Sequence, residues 1–104
     1  MLADTTRCTS GYGEINVCIT LHDGGSVQVQ TEKIGAQYPA DLNVAVQHYG
    51  EAVSYPKGCS SNTYCSWSIW CTVAGYYRAV GSIKVGGVWL YPVWSPWIYT
   101  PGHC

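Results

Sequence analysis

The chain has no phenylalanine, a single methionine and few charged residues. Charged side chains make up 11% of its 104 residues and the formal net charge is −1, whereas about 25% of residues are charged in an average soluble protein. A surface with so little charge does not attract nucleic acid or an anionic membrane. No stretch approaches the roughly 18 consecutive apolar residues of a membrane-spanning helix. The sequence therefore predicts neither nucleic-acid binding nor a membrane span.

Recognisable catalytic patterns are also missing from the sequence. There is no phosphate-binding loop, dinucleotide fingerprint, metalloprotease motif or nucleophile elbow. The acidic residues are isolated from one another along the chain, and His22-Asp23 is typical of the start of a hairpin turn. His48 follows Val44 and Val46 on one face of a predicted strand, which indicates a hydrogen-bonded residue at the rim rather than a catalyst. We expect no enzymatic activity and no cofactor.

Six cysteines are spread over the whole chain, at Cys8, Cys18, Cys59, Cys65, Cys71 and Cys104. An even number in a small domain predicts a disulfide framework and an oxidising compartment. Zinc is the competing interpretation, but it needs ligands closer together in sequence than any two of these cysteines. We therefore expect a secreted protein. Because residues 1–4 lack the basic and apolar regions of a signal peptide, we expect a mature chain after its removal, with Met1 as an added initiator.

The sequence alone does not choose among the 15 pairings that six cysteines allow. Chain geometry favours three pairs, which are Cys8–Cys18, Cys59–Cys65 and Cys71–Cys104. The first pair would join two adjacent strands through a bend at residues 11–13, and the last would hold the C-terminus. In the chain-entropy model that last closure stabilises the fold by roughly 3–4 kcal/mol. A bond from Cys18 to Cys71 across the sheets is the main alternative.

Apolar and polar residues alternate with a period of two through most of the chain, as in half-buried strands. Residues 14–32 predict a hairpin that turns at Asp23-Gly24-Gly25, and Gly86-Gly87 predicts a second tight turn. Further strands are predicted at residues 42–48, 64–73, 77–85 and 88–93. The proline-containing tail, residues 94–101, fits an edge strand or a wrapped segment. The sequence thus predicts one all-β domain over residues 1–104, an antiparallel sandwich of seven or eight short strands.

The segment Gly75-Tyr76-Tyr77-Arg78-Ala79-Val80 resembles the F strand of immunoglobulin-like and fibronectin-type-III-like sandwiches. Those folds place a tyrosine near the start of this strand and bind its hydroxyl to the backbone at a corner. Tyr77 is the better match to that tyrosine. Ala79 stands where an antibody-type domain has its second sandwich cysteine. The resemblance implies an immunoglobulin-like fold and carries no functional residues.

All five tryptophans lie beyond residue 66. Their rings either replace the missing phenylalanine in the core or form an exposed platform for sugars or for a protein partner. Trp67 and Trp70 are three residues apart and fall on opposite faces of a strand. We expect Trp70, Trp94 and Trp97 to face outward and to contribute to binding.

The first functional hypothesis is a secreted, non-catalytic binding module that recognises an extracellular protein or glycan, or inhibits a foreign enzyme. Its loop at residues 55–64, held by Cys59 and Cys65, would insert into a cleft, with Lys57 as the specificity residue for a trypsin-like target. An antimicrobial or toxin-like protein is one alternative. The other is a structural subunit that associates with itself through strand edges and aromatic contacts, since low charge gives little repulsion.

Overall fold

The computed structural model describes residues 4–11, 14–34, 39–54 and 57–104, which form β-strands and no helix. The strands are β1 (Thr5–Gly11), β2 (Ile15–Leu21), β3 (Val27–Lys33), β4 (Ala40–His48), β5 (Lys57–Asn62), β6 (Tyr64–Ile69), β7 (Gly75–Val85), β8 (Val88–Trp89), β9 (Val93–Trp94) and β10 (Ile98–Thr100). The predicted all-β class is confirmed. The predicted number of seven or eight strands is wrong, because the C-terminal part is divided into three strands of two or three residues. In the described ranges no helix has the length and apolar character needed to cross a membrane.

The strands form two antiparallel sheets with the core between them. The first sheet has the order β1-β2-β3-β6, and the second has the order β10-β7-β4-β5 with β8 and β9 also paired to β7. Both sheets contribute to one buried cluster, which includes Ile15, Val17, Ile19, Val27, Val29, Leu42, Val44, Ala79 and Ile83. Because side chains alternate between the two faces of a strand, these positions are the apolar halves of the alternating runs.

The two sheets approach each other closely at Gly81 of β7. A Cβ atom at this position would collide with Oγ1 of Thr31 on β3, and it would lie 2.9 Å from Cγ2 of Val17. The Thr31 hydroxyl donates a hydrogen bond of 2.8 Å to the carbonyl oxygen of Asn43 on β4. The glycine therefore leaves room for a polar contact that joins the first sheet to the second.

The disulfides are Cys8–Cys18, Cys59–Cys65 and Cys71–Cys104. These are the three pairs that chain geometry favours. Cys8 and Cys18 lie directly opposite each other in the β1–β2 ladder; of the bend expected between them, residues 12–13 lie outside the described ranges. The Cys59–Cys65 bond joins β5 of the second sheet to β6 of the first. Three disulfides in a domain of this size are consistent with an extracellular location.

The C-terminal tail is bound to the turn of the β2–β3 hairpin. Thr72 and Thr100 both donate side-chain hydrogen bonds to the carbonyl oxygen of Gly25, at 2.9 and 2.6 Å. The backbones of Thr72 and His103 exchange two hydrogen bonds of 3.0 and 2.9 Å. Strand β10 pairs with β7 at the edge of the second sheet. The tail is thus an edge strand, one of the two arrangements that its prolines indicate.

The hydroxyl of Tyr77 is bound to the backbone at a corner of the second sheet. Its hydroxyl donates to the carbonyl oxygen of Val73 at 3.0 Å, at the corner before β7. The immunoglobulin-like strand order is not confirmed. In that fold the third strand along the chain lies in the opposite sheet from the second, whereas β3 pairs with β2 along its whole length.

Three local predictions differ from the structure. Residues 57–62, predicted as part of a loop, form β5 and pair with β4; residues 55–56 of that loop lie outside the described ranges. The strand predicted at 64–73 ends at Ile69. The strand predicted at 88–93 is interrupted after Trp89, where Pro92 provides no N–H group for a ladder.

Candidate binding site

A cleft opens between the two sheets beside the part of β4 that follows Val44. The β4–β5 ladder reaches Val44 and Lys57, whereas β4 continues to His48. The volume of the cleft is about 400 Å³. It is lined by Ala45, Val46, His48, Glu51, Ser54, Trp67, Ile69, Cys71, Val73 and Tyr77.

Trp67 supplies the largest ring in the cleft. It lies opposite Val29 in the β3–β6 ladder, on the same side of its strand as the buried Cys65 and the partly buried Ile69. Unlike those neighbours, Trp67 remains 43% exposed. Its ring therefore lies on the core side of an edge strand, at a place where the opposite sheet does not cover it.

Polar groups lie on the β4 side of the cleft. The His48 ring stacks on Tyr77, with ring centres 4.5 Å apart and planes inclined by 14°. Nδ1 of His48 lies 3.3 Å from a carboxylate oxygen of Glu51. The backbone N–H of Ser54 donates to the carbonyl oxygen of Val46 at 2.9 Å, which holds residues 52–54 beside β4. His48 is thus a rim residue with a carboxylate partner.

The Tyr77 phenol stays protonated at neutral pH. Burial raises its pKa above the ordinary value of 10.0, and the Glu51 carboxylate acts in the same direction. A neutral phenol keeps the floor of the cleft uncharged. Within the described part of the chain, no group of three or more histidine, cysteine, aspartate or glutamate side chains could hold a metal ion.

A second, shallower recess adjoins the cleft at Trp67. Its volume is about 450 Å³, and it is lined by Lys57, Ser66, Trp67, Ser68 and Trp70. Trp70 is 72% exposed. The Lys57 ammonium donates to the carbonyl oxygen of Ser66 at 3.0 Å. Two of the predicted site residues, Lys57 and Trp70, are therefore brought together, although Lys57 begins a strand instead of standing in a loop.

The other two predicted residues, Trp94 and Trp97, lie on a different surface. Both are partly buried, and the guanidinium carbon of Arg78 lies 3.9 and 4.4 Å from their ring centres. Ser95 fixes the segment between them, because it exchanges hydrogen bonds of 2.8 and 2.9 Å with the backbone of Ala79. Of the three rings predicted to face outward, only Trp70 is widely exposed.

No protein family model, curated protein or solved structure matches this chain. A proposal for a ligand of the cleft therefore rests on the chemistry of its lining. An apolar recess with a few convergent polar groups is the usual form of a ligand site. Sequence reasoning missed Trp67, Glu51 and Ser54, because the alternating pattern assigns Trp67 to the core and gives no signal for the other two.

Proposed function

We propose that this protein is a secreted, non-catalytic recognition module that binds a glycan along the edge of β6. The observation that carries the proposal is the position of Trp67, which lines both the cleft and the recess that contains Trp70. A ligand that occupies both depressions would contact two exposed indoles, one for each of two sugar units.

The groups around Trp67 match the two kinds of surface that a sugar presents. A pyranose has C–H faces, which pack on an aromatic ring, and hydroxyl groups at its edge, which need hydrogen-bond partners. Trp67 offers the ring, the carboxylate of Glu51 accepts hydrogen bonds, and the hydroxyl of Ser54 can donate or accept. Indole rings provide a large contact area with little loss of conformational entropy on binding.

The charges at this surface favour a neutral ligand. The carboxylate of Glu51 faces the His48 ring, and the ammonium of Lys57 is bound to a backbone carbonyl group. The negative charge of Glu51 and the positive charge of Lys57 balance each other, so this surface has no excess charge to attract an ionic partner. A neutral glycan is therefore better suited to the site than a charged peptide.

The enzyme-inhibitor form of the binding hypothesis receives less support. A protease inhibitor of the trypsin-directed kind would extend Lys57 from a loop into the target's pocket. Here Lys57 begins β5 and its ammonium donates to Ser66 on the neighbouring strand. Insertion into a protease would break this contact and would require the edge strand to detach.

A neutral-glycan array followed by calorimetry tests the proposal. Trp67→Ala is expected to weaken binding of the best glycan at least ten-fold, and Trp70→Ala is expected to weaken it less. Trp89→Ala is the matched control, because Trp89 is 45% exposed but lies in the β7–β8 hairpin. Absence of glycan binding by the unmodified protein at millimolar concentration, or full affinity of Trp67→Ala, would reject the proposal. Binding of a protein ligand that depends on Trp70 alone would favour the protein-recognition alternative.

A further inference from the structure

The β7–β8 hairpin with the residues that follow it, residues 85–92, is largely exposed and carries no charge; it is called the apolar hairpin below. Its sequence is VGGVWLYP, without a charged residue. The exposed fractions of its larger side chains are 50% for Val85, 62% for Val88, 45% for Trp89 and 79% for Tyr91. Val85 and Val88 lie on one face of the hairpin and Trp89 on the other, and such a cluster of exposed apolar side chains marks an interaction site more often than an ordinary surface.

The apolar hairpin extends beyond the rest of the second sheet. The last pair in the β4–β7 ladder is Asp41 with Lys84, and the next residue, Val85, pairs with Val88 across the turn. Gly86 and Gly87 have φ values of 57° and 79°, as a tight two-residue hairpin requires. The tip, Gly86-Gly87, therefore projects beyond the level of Ala40, where β4 begins.

The base of the apolar hairpin is fixed to the fold. The N–H of Leu90 donates to the carbonyl oxygen of Ile83 at 3.0 Å, and the Leu90 side chain packs against the core. Residues 88–92, on the return arm, line a recess of about 580 Å³. A tip held in this way can insert its side chains into an apolar medium without rearranging the domain.

The area of the tip is too small for a stable dimer. Its exposed side chains offer on the order of 400 Å², which is about half of the roughly 800 Å² that each partner buries in a standard protein interface. A second copy of the chain would need further contacts elsewhere. Docking on a lipid surface needs no further contacts, because each apolar side chain that enters the lipid is removed from water independently of the others.

The charge distribution also favours lipid. Residues 85–92 themselves carry no charged side chain. At the base of the apolar hairpin, Lys84 lies opposite Asp41 of β4, so the base has no net charge and can remain among neutral headgroups while the tip enters. Trp89 and Tyr91 belong to the residue types that are enriched at membrane–water interfaces. We infer that the apolar hairpin docks this protein onto a neutral phospholipid surface, with Trp89 and Tyr91 at headgroup level.

Sedimentation with phosphatidylcholine vesicles tests the inference. The double variant Trp89→Ser/Tyr91→Ser is expected to partition at least ten-fold less than the unmodified protein. Trp70→Ser is the control, because this indole is 72% exposed on another surface; its partitioning should stay within two-fold. High salt should change little, since the contact is apolar. Equal urea midpoints of the three proteins would show that these exposed substitutions leave the fold intact.

Three results would overturn the inference. One is the absence of sedimentation with vesicles, and another is equal partitioning of the double variant. The third is a protein that does not bind vesicles but forms a concentration-dependent dimer in light scattering, where the dimer is lost in the double variant. The apolar hairpin would then bind a second copy of the chain. Since the glycan proposal depends on Trp67 and Trp70, failure of either proposal leaves the other testable.

Discussion

The guanidinium carbon of Arg78 lies 3.9 Å from the centre of the Trp94 ring. The same group lies 4.4 Å from the centre of Trp97, and its Nε donates to the side-chain oxygen of Gln47 at 2.9 Å. One basic residue of β7 therefore holds the two indoles of the proline-containing tail on the second sheet. The contact is structural, since it gives both rings a partner within their own chain.

Arg78→Lys tests this arrangement. Lysine keeps the charge but has no planar group to stack on two rings and to bond Gln47 at the same time. We expect the free energy of unfolding to fall by about 1–2 kcal/mol, measured by urea denaturation. Lys84→Arg, at an exposed position, should change it by less than about 0.5 kcal/mol. An Arg78→Lys protein as stable as the original would show that the stack contributes nothing.

Gly81→Ala should destabilise the sandwich because the added methyl group meets Thr31 of the opposite sheet. We expect a loss of about 1–3 kcal/mol in the free energy of unfolding, as for other overpacked cores. Gly58→Ala is the matched control in another strand, since a Cβ there meets nothing within 4 Å. Equal thermal midpoints of the two variants would contradict the close approach of the sheets at Gly81.

The three disulfides should differ in their contributions to stability. The Cys71–Cys104 bond spans 33 residues of sequence and the Cys59–Cys65 bond spans 6. The chain-entropy model predicts losses of about 4 kcal/mol for the double alanine variant of the first pair and about 2 kcal/mol for the second. Calorimetric unfolding of both variants checks the order. The reverse order would show that joining the two sheets matters more than loop length.

The carboxyl group of Asp4 should titrate below its ordinary pKa of 3.8. The hydrogen bond with His22, at 2.9 Å, is the main cause, and the backbone N–H of Asp23 adds a bond of 3.0 Å. Because the folded pKa is lowered, the stability that this group contributes is present above pH 3.8 and is lost as the pH falls through the folded value. An NMR titration of the carboxyl carbon should show the low midpoint, and His22→Gln should raise it. An unchanged midpoint in that variant would exclude the contact.

Period-two alternation predicts β2, β3, β4 and β7 because each of these strands has one face on the core. The disulfide pairs were also predicted from the sequence. Two of the pairs join cysteines that are close together along the chain, and the two cysteines that are left hold the tail. Strand β5 was not predictable in the same way. Its sequence, KGCSSN, has no apolar alternation because it is a largely exposed edge strand.

The candidate site was less accessible from the sequence than the fold. His48 and Trp67 are 19 residues apart and line one cleft only because β4 and β6 lie in different sheets. An alternating pattern assigns Trp67 to the core, and it cannot show that the opposite sheet fails to cover that ring. For Trp94 and Trp97 the missing information was a cross-strand contact with Arg78, which sequence spacing does not reveal.

The Cys59–Cys65 bond has a consequence for ligand binding. It ties adjacent edges of the two sheets, and Thr63 is the single residue between β5 and β6. Trp67 follows two positions after Cys65, so the bond holds the strand that carries this ring beside β5. Under the proposed function, a ligand enters a cleft that this bond already braces, and a site that needs no ordering on binding loses little entropy when it is filled.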